Sequence, residues 1–369
     1  MDKPILGYCT NVHPGGDLET LRYHLDRSAV GVRQHLGLDV LPIGLWLSDP
    51  ASEALSQPGE ALRFRRWLRE RGLAVFTLNG FPQRDFHEST VKHRVYQPAW
   101  WQPERLAYTL RLASLLAVVA ENEGRLSIST LPIGWRGEST DELSERAMSH
   151  LIQLIEALAE LERRTHRHVA IDLEPEPGCV LDRSEHVIEL FTALRSRSDP
   201  VLVNRYLGVC HDICHAAVMR EDQSEVIARY HQAGITIGKL QVSSAIKATS
   251  SSREALRSFI EPRYLHQTNV TRAGRDTLYE DLDVALAAPF DEARVHFHVP
   301  VFLETVGDLG TTRDEIASAL SSARAVGVTH FEVETYAWPQ LPEGVWTGSL
   351  EAGIAEEFRY TQHLIEAAS

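Results

Sequence analysis

Short runs rich in apolar and β-branched residues alternate along this chain with longer stretches in which apolar positions return every three or four residues. The first pattern predicts buried strands and the second amphipathic helices. Residues 5–12 read as a strand closing on Asn11, His13 and a Pro-Gly-Gly turn, and Asp17 as the N-cap of a helix reaching about residue 36. Strand patterns recur at 39–47, 73–79, 126–131, 168–173, 206–210, 235–242, 294–302 and 329–336, with helical patterns at 60–71, 103–123, 140–164, 184–197, 312–326 and 350–367. The stripe Leu151, Leu154, Ile155, Leu158 and Leu161 is the core-facing side of one of these helices. Two stretches break the rhythm. Residues 81–101 carry Phe86, His87, Lys92, Tyr96, Trp100 and Trp101, the content of a cover over a site or of a loop clamped to a rim by its tryptophans. Residues 246–292 are irregular, with a Ser-rich turn and a hairpin expected around 271–275.

Strand and helix in strict alternation predict parallel βαβ units. The expected fold is a single (β/α)8 TIM barrel over residues 1–369, with an insertion at 246–292 and 294–302 as an extra strand beyond the eight a barrel needs. A doubly wound open sheet lacks its Gly-rich phosphate turn here.

A hydrophobic share of 43% with 24% charged residues suits a globular enzyme. No apolar run approaches the roughly 20 residues needed to cross a bilayer, and the opening MDKPILGYC has no leader-like core, so a cytoplasmic location is expected. A net charge of −14 argues against nucleic acid as a partner. Four separated cysteines, Cys9, Cys179, Cys210 and Cys214, fit reduced thiols better than a disulfide framework.

In a barrel of this kind the strand C-termini form the active face. Glu174, Asp212, Gln241 and Glu334 end strands five to eight, and the extra strand supplies His298 and Glu304. Such oxygen and nitrogen donors suit one divalent cation, Mn, Zn, Mg, Fe or Co, held by Glu174, Asp212, Gln241, Glu334 and His298. The D-x-x-H of Asp212 and His215 reads equally as a helix cap, and the acids could instead pair with Arg136, Lys239 or Lys247. His13, Asn79, His87, His215, Lys239, His296, Glu304, Tyr336 and Trp338 are candidate substrate contacts, with Tyr8, Phe81, Trp100, Trp135 and Trp338 as candidate apolar walls.

The E-P at 174, D-x-C-H at 212–215, KLQVS on strand seven and the late E-T-Y at 334 resemble the xylose isomerase-like barrels, which include sugar epimerases and endonuclease IV. Y-C-T-N-V-H-P-G at 8–15, L-N-G-F-P at 78–82, V-K-x-x-V-Y at 91–96, H-F-H-V-P at 296–300 and V-E-T-Y-x-W at 333–338 are similar to the EboE family of metabolite traffic proteins. The resemblance implies a metal-dependent isomerase, epimerase or lyase acting on a small polyhydroxylated or carbonyl-containing metabolite precursor, with Glu174 and Glu334 moving the proton and with partner proteins of one pathway. The alternative is a non-catalytic carrier for such a precursor; phosphodiester cleavage is disfavoured by the charge. Where sugar epimerases place a metal-binding histidine on strand seven this chain has Gln241, so either the site is weak or His298 replaces the missing ligand.

Overall fold

The computed structural model describes residues 3–368; Met1 and Asp2, the first two residues of the leader reading, and Ser369 lie outside it. Eight parallel strands close into a barrel: β1 (Ile5–Cys9), β2 (Leu41–Trp46), β3 (Leu73–Asn79), β4 (Arg125–Thr130), β5 (His168–Leu173), β6 (Leu207–Asp212), β7 (Ile237–Val242) and, after a long excursion, the closing strand at His330–Val333. The closing strand lies between β7 and β1, pairing Glu332 with Gln241 and Ile5 with His330. The protein is a TIM barrel.

Local chemistry sets the element boundaries. Asp17 caps the first helix by accepting from the Thr20 amide at 2.7 Å, as its position predicts. Pro200, with Asp199 capping it, starts a short helix, Pro200–Tyr206, that periodicity alone does not reveal because it abuts β6 without a break.

The excursion is larger than the insertion expected at 246–292. It forms a second, antiparallel sheet of six strands: β8 (Ile246–Thr249), β9 (Thr268–Arg272), β10 (Arg275–Tyr279), β11 (Glu292–Val295), β12 (Thr305–Val306) and β13 (Leu309–Thr311). The β9–β10 hairpin turns through Ala273 and Gly274, both at positive φ. The extra strand expected at 294–302 is therefore corrected: pairing stops at Val295, within the inserted sheet. Residues 296–300 lie outside any strand: Phe297 N turns back to Val295 O at 2.8 Å, and single bonds run from His296 N to Gln267 O and from Val299 N to Ser244 O. Alternation alone does not secure ladder pairing, and Pro300 has no N–H with which to continue one.

The barrel interior is polar. Lys239 Nζ reaches Glu332 Oε2 at 2.7 Å, Asn79 Oδ1 at 2.7 Å and Ser129 Oγ at 3.2 Å, all buried. Gly44 makes this possible, since a Cβ there would overlap the Glu332 carboxylate. Nearer the strand N-termini Asp172 is clasped by Arg125 and Ser127. An unpaired charge at this depth would cost several kcal/mol, so each acid has its cation and its hydroxyl or amide.

Candidate active site

Three consecutive strands round the ring, β5, β6 and β7, and the closing strand end at one mouth. Glu174 follows β5, its amide bonded to Thr130 O at 3.0 Å, and the proline after it ends the ladder. Asp212 ends β6. Its Oδ1 accepts from the His215 amide at 2.9 Å and from Ser243 Oγ at 2.8 Å, while Oδ2 is buried without a partner. One carboxylate thus both caps the helix Ile213–Val218 and presents a free oxygen. Glu334 follows the closing strand, its amide on Val242 O and its Oε1 accepting from Asn11 Nδ2 at 2.7 Å. Donor atoms of Glu174, Asp212 and Glu334 lie within 4.8 Å of one another, as do those of Asp212, His215 and His298, and of Glu176, His215 and His296.

The imidazoles are held by their Nδ1 atoms. His215 Nδ1 bonds Pro175 O at 2.8 Å and His298 Nδ1 bonds Glu334 O at 2.8 Å. His296 Nδ1 meets Gln267 Oε1 at 2.7 Å, an oxygen identified by the three acceptors around Gln267 Nε2. A carbonyl only accepts, so each Nδ1 carries the proton and each Nε2 faces the pocket. His298 Nε2 is buried with no partner. His215 Nε2 and His296 Nε2 stand 3.1 Å apart and need one proton between them.

Burial pushes Glu174 up to about 7, opposed by His215 and reinforced by Asp212. Burial also pushes Glu334 well above the usual carboxylate range, with Glu174 and Asp212 adding repulsion. For Asp212 burial works upward too, but His215, His298 and its two hydrogen-bond donors together hold it below its ordinary value. His215 goes the other way: burial disfavours its charge, yet Asp212, Glu176 and Glu174 raise it. Burial, with His215 beside them, lowers His296 well below its usual value and brings His298 to about 4. Three crowded carboxylates beside a neutral imidazole with a bare Nε2 make a donor set that fits a divalent cation, whose charge would relieve the same repulsion.

A cleft opens above this floor. Of the expected contacts Asn79, His215, His296 and Tyr336 line it together with Glu174, His298 and Glu334. Others fall elsewhere. Lys239 lies one layer down, and Gln241, level with Asp212 in the strand register, gives Nε2 to Asn79 Oδ1 at 3.1 Å and keeps a buried Oε1 without a partner. His13 bonds Tyr8 OH and stacks on His24, and His87 holds Asn11 O at 2.8 Å. Glu304 is an exposed partner of Arg313, because the chain turns outward after Pro300. Trp338 donates to Glu357 at 2.7 Å. Of the expected walls only Phe81 lines the cleft; Trp100 is clamped on Ile133 O through its amide and Trp135 stacks behind Tyr96. The 81–101 loop thus does both things expected of it, its tryptophans fixing it while Phe81, Phe86, Val91 and Val95 cover the mouth. Asn11, Glu176 and Tyr264 were not among the expected contacts. Two had local signals: Asn11 closes the first strand, and Glu176 stands two residues beyond Glu174 in E-P-E-P.

No family model matches the chain, and no curated protein matches it. Solved structures do. A xylose isomerase-like TIM barrel protein from Mycobacterium smegmatis in complex with magnesium aligns over 100% of this chain and 99% of its own, with TM-score 0.57 and 14% identity. The shared fold is the TIM barrel. An L-ribulose 3-epimerase aligns over 100% of this chain and 96% of its own, with TM-score 0.53 and 14% identity. The IOLI protein with a bound zinc atom aligns over 99% of both chains, with TM-score 0.52 and 12% identity.

Proposed function

We propose that this xylose isomerase-like barrel is a metal-dependent isomerase or epimerase of a small hydroxycarbonyl metabolite. The observation that carries the reading is the convergence of Glu174, Asp212 and Glu334, with Asp212 shared by a second cluster that holds His215 and His298, whose Nε2 is bare. The three acids and His298 would hold the cation, which when bound supplies Lewis-acid polarisation of a substrate oxygen. Asn11 fixes Glu334 through its Oε1, and the buried carboxylates of Glu174 and Glu334 face one cleft, one to take a proton from the carbon beside the carbonyl and one to return it. The cover loop excludes water while the proton is held.

The EboE reading is part of the proposal. The five stretches that suggest it converge: Asn11, Asn79, Val91, His296, His298 and Glu334, one or more from each, all border the same cleft. A secondary-metabolite precursor is the corresponding substrate class, handled as one 1–369 unit in which the inserted sheet supplies part of the site.

The test is metal content of protein purified without chelator, followed by NMR of a small hydroxyketone such as dihydroxyacetone incubated with the Mn-loaded protein in D2O. About one equivalent of cation per chain and deuterium incorporation beside the carbonyl are expected, and Glu174→Gln should abolish the exchange while the protein stays folded. Cation binding without exchange would favour a carrier; absence of any bound cation would remove the metal reading.

A further inference from the structure

The cleft has two chemically different ends. Its floor is the carboxylate and imidazole cluster, but its roof is apolar and aromatic. Phe86, Tyr264 and Tyr336 form a ring trio, with centroids 4.7 Å, 5.1 Å and 5.3 Å apart, and Tyr336 continues it to His298 at 4.7 Å. Three of the polar side chains on this side are already engaged, while the Tyr336 hydroxyl has no hydrogen-bond partner among the described residues. Tyr264 OH donates to Phe86 O at 3.1 Å, Tyr96 OH to Glu176 at 2.7 Å, and Lys92 Nζ reaches Asp281 at 2.5 Å and Glu261 O at 3.3 Å. The roof is also fixed: the Val91 and Lys92 amides both bond Arg263 O at 2.8 Å, tying the cover loop to the insertion.

A free sugar carries a hydroxyl on nearly every carbon, and most of those turned to such a roof would lose water and find few partners, a penalty of the kind that makes polar groups poor occupants of apolar walls. A flat apolar ring has the opposite balance, gaining burial and edge or face contacts with the aromatic trio. Building on the metal-dependent reading above, we propose that the substrate is amphipathic: an oxygen-bearing hydroxycarbonyl head at the Glu174–Glu334 floor joined to an apolar, ring-sized body under Phe86, Tyr264 and Tyr336, and not a free ketose.

Titration calorimetry of the Mn-loaded protein with 2-hydroxyacetophenone, dihydroxyacetone and D-fructose tests this, because the first two share a head and differ in the ring. The aryl ketone should bind at least about tenfold more tightly than either other compound, the order expected for burying a ring-sized apolar group. Phe86→Asn should shrink that ratio severalfold, and Val91→Thr, nearly isosteric and so safer for folding, should shrink it in the same direction. D-Fructose binding as tightly as the aryl ketone, or no binding of any of the three by protein that does bind Mn, would overturn the proposal. If the protein takes up no cation, the metal reading fails separately, and the same comparison in metal-free protein still decides the preference of the roof.

Discussion

His298 and Gln241 occupy the two positions from which a nitrogen ligand could come, and their side chains are committed differently. His298 is anchored through Nδ1 and brings a bare Nε2 to Asp212, whereas Gln241 gives its Nε2 to Asn79 and leaves Oε1 buried without a partner. His298→Ala should therefore weaken Zn and Mn binding at least as much as the roughly 10–100-fold that loss of an outer-shell partner costs. Gln241→His should gain no affinity, since the new ring would disturb the Asn79–Lys239 network. Calorimetric titration of both variants checks this, and tighter Zn binding by Gln241→His would reverse the assignment. At this scale the acids were legible in the sequence because each follows a strand, and strand ends can be read from hydrophobic runs. The fate of Gln241 was not, since a two-residue period places it on the inner face without saying at which depth or against which amide.

Among the helices, Leu350–Ala367 does more than cover the closing strand. Its Glu357, buried, accepts from Val301 N at 3.1 Å, Thr335 Oγ1 at 2.5 Å and Trp338 Nε1 at 2.7 Å, so one carboxylate ties the return from the insertion to the exit of the closing strand. Burial outweighs those three donors and pushes its pKa to about 7. The folded chain then binds this proton more tightly than the unfolded chain does. The cost to folding is absent below the ordinary value of 4.5, grows as pH rises and is complete above about 7. Urea denaturation at pH 5 and pH 8 should show this group destabilising the protein by roughly 3 kcal/mol over the interval, and Glu357→Gln should flatten the profile by a comparable amount. An unchanged profile in the variant would show that the donors keep Glu357 ionised throughout. Of the elements themselves the barrel strands were readable to within about three residues, β3 and β5 without error, while β1 and the closing strand stop three residues short of the ends read for them. The inserted strands were not, because short antiparallel strands at a barrel mouth draw their partners from distant residues and leave no periodic trace.

Across the whole molecule the barrel and the inserted sheet share their packing. Trp46 of β2 and Phe86 and Val91 of the cover loop belong to the same buried cluster as Ile246, Val295 and Phe297 of the insertion. Trp46 also donates to Pro82 O at 2.8 Å, locking the cover loop to the barrel. Unfolding in urea followed by tryptophan fluorescence and by far-ultraviolet circular dichroism should accordingly give coincident transitions. An earlier, separate transition would mark the insertion as an independent unit. Among the described residues no helix is long and apolar enough to cross a membrane.

Because His298 sits on the insertion while the three acids sit on the barrel, a bound cation would span two parts of the chain that are far apart in sequence. Occupancy then becomes a clasp: every increment of cation affinity is also an increment of free energy holding the inserted sheet down on the mouth, rising with the logarithm of free cation concentration. Because the two parts share one buried cluster, scarcity of the ion would be felt as lower stability of barrel and inserted sheet together. A cation held in this way would couple the stability of the whole molecule to the supply of the ion.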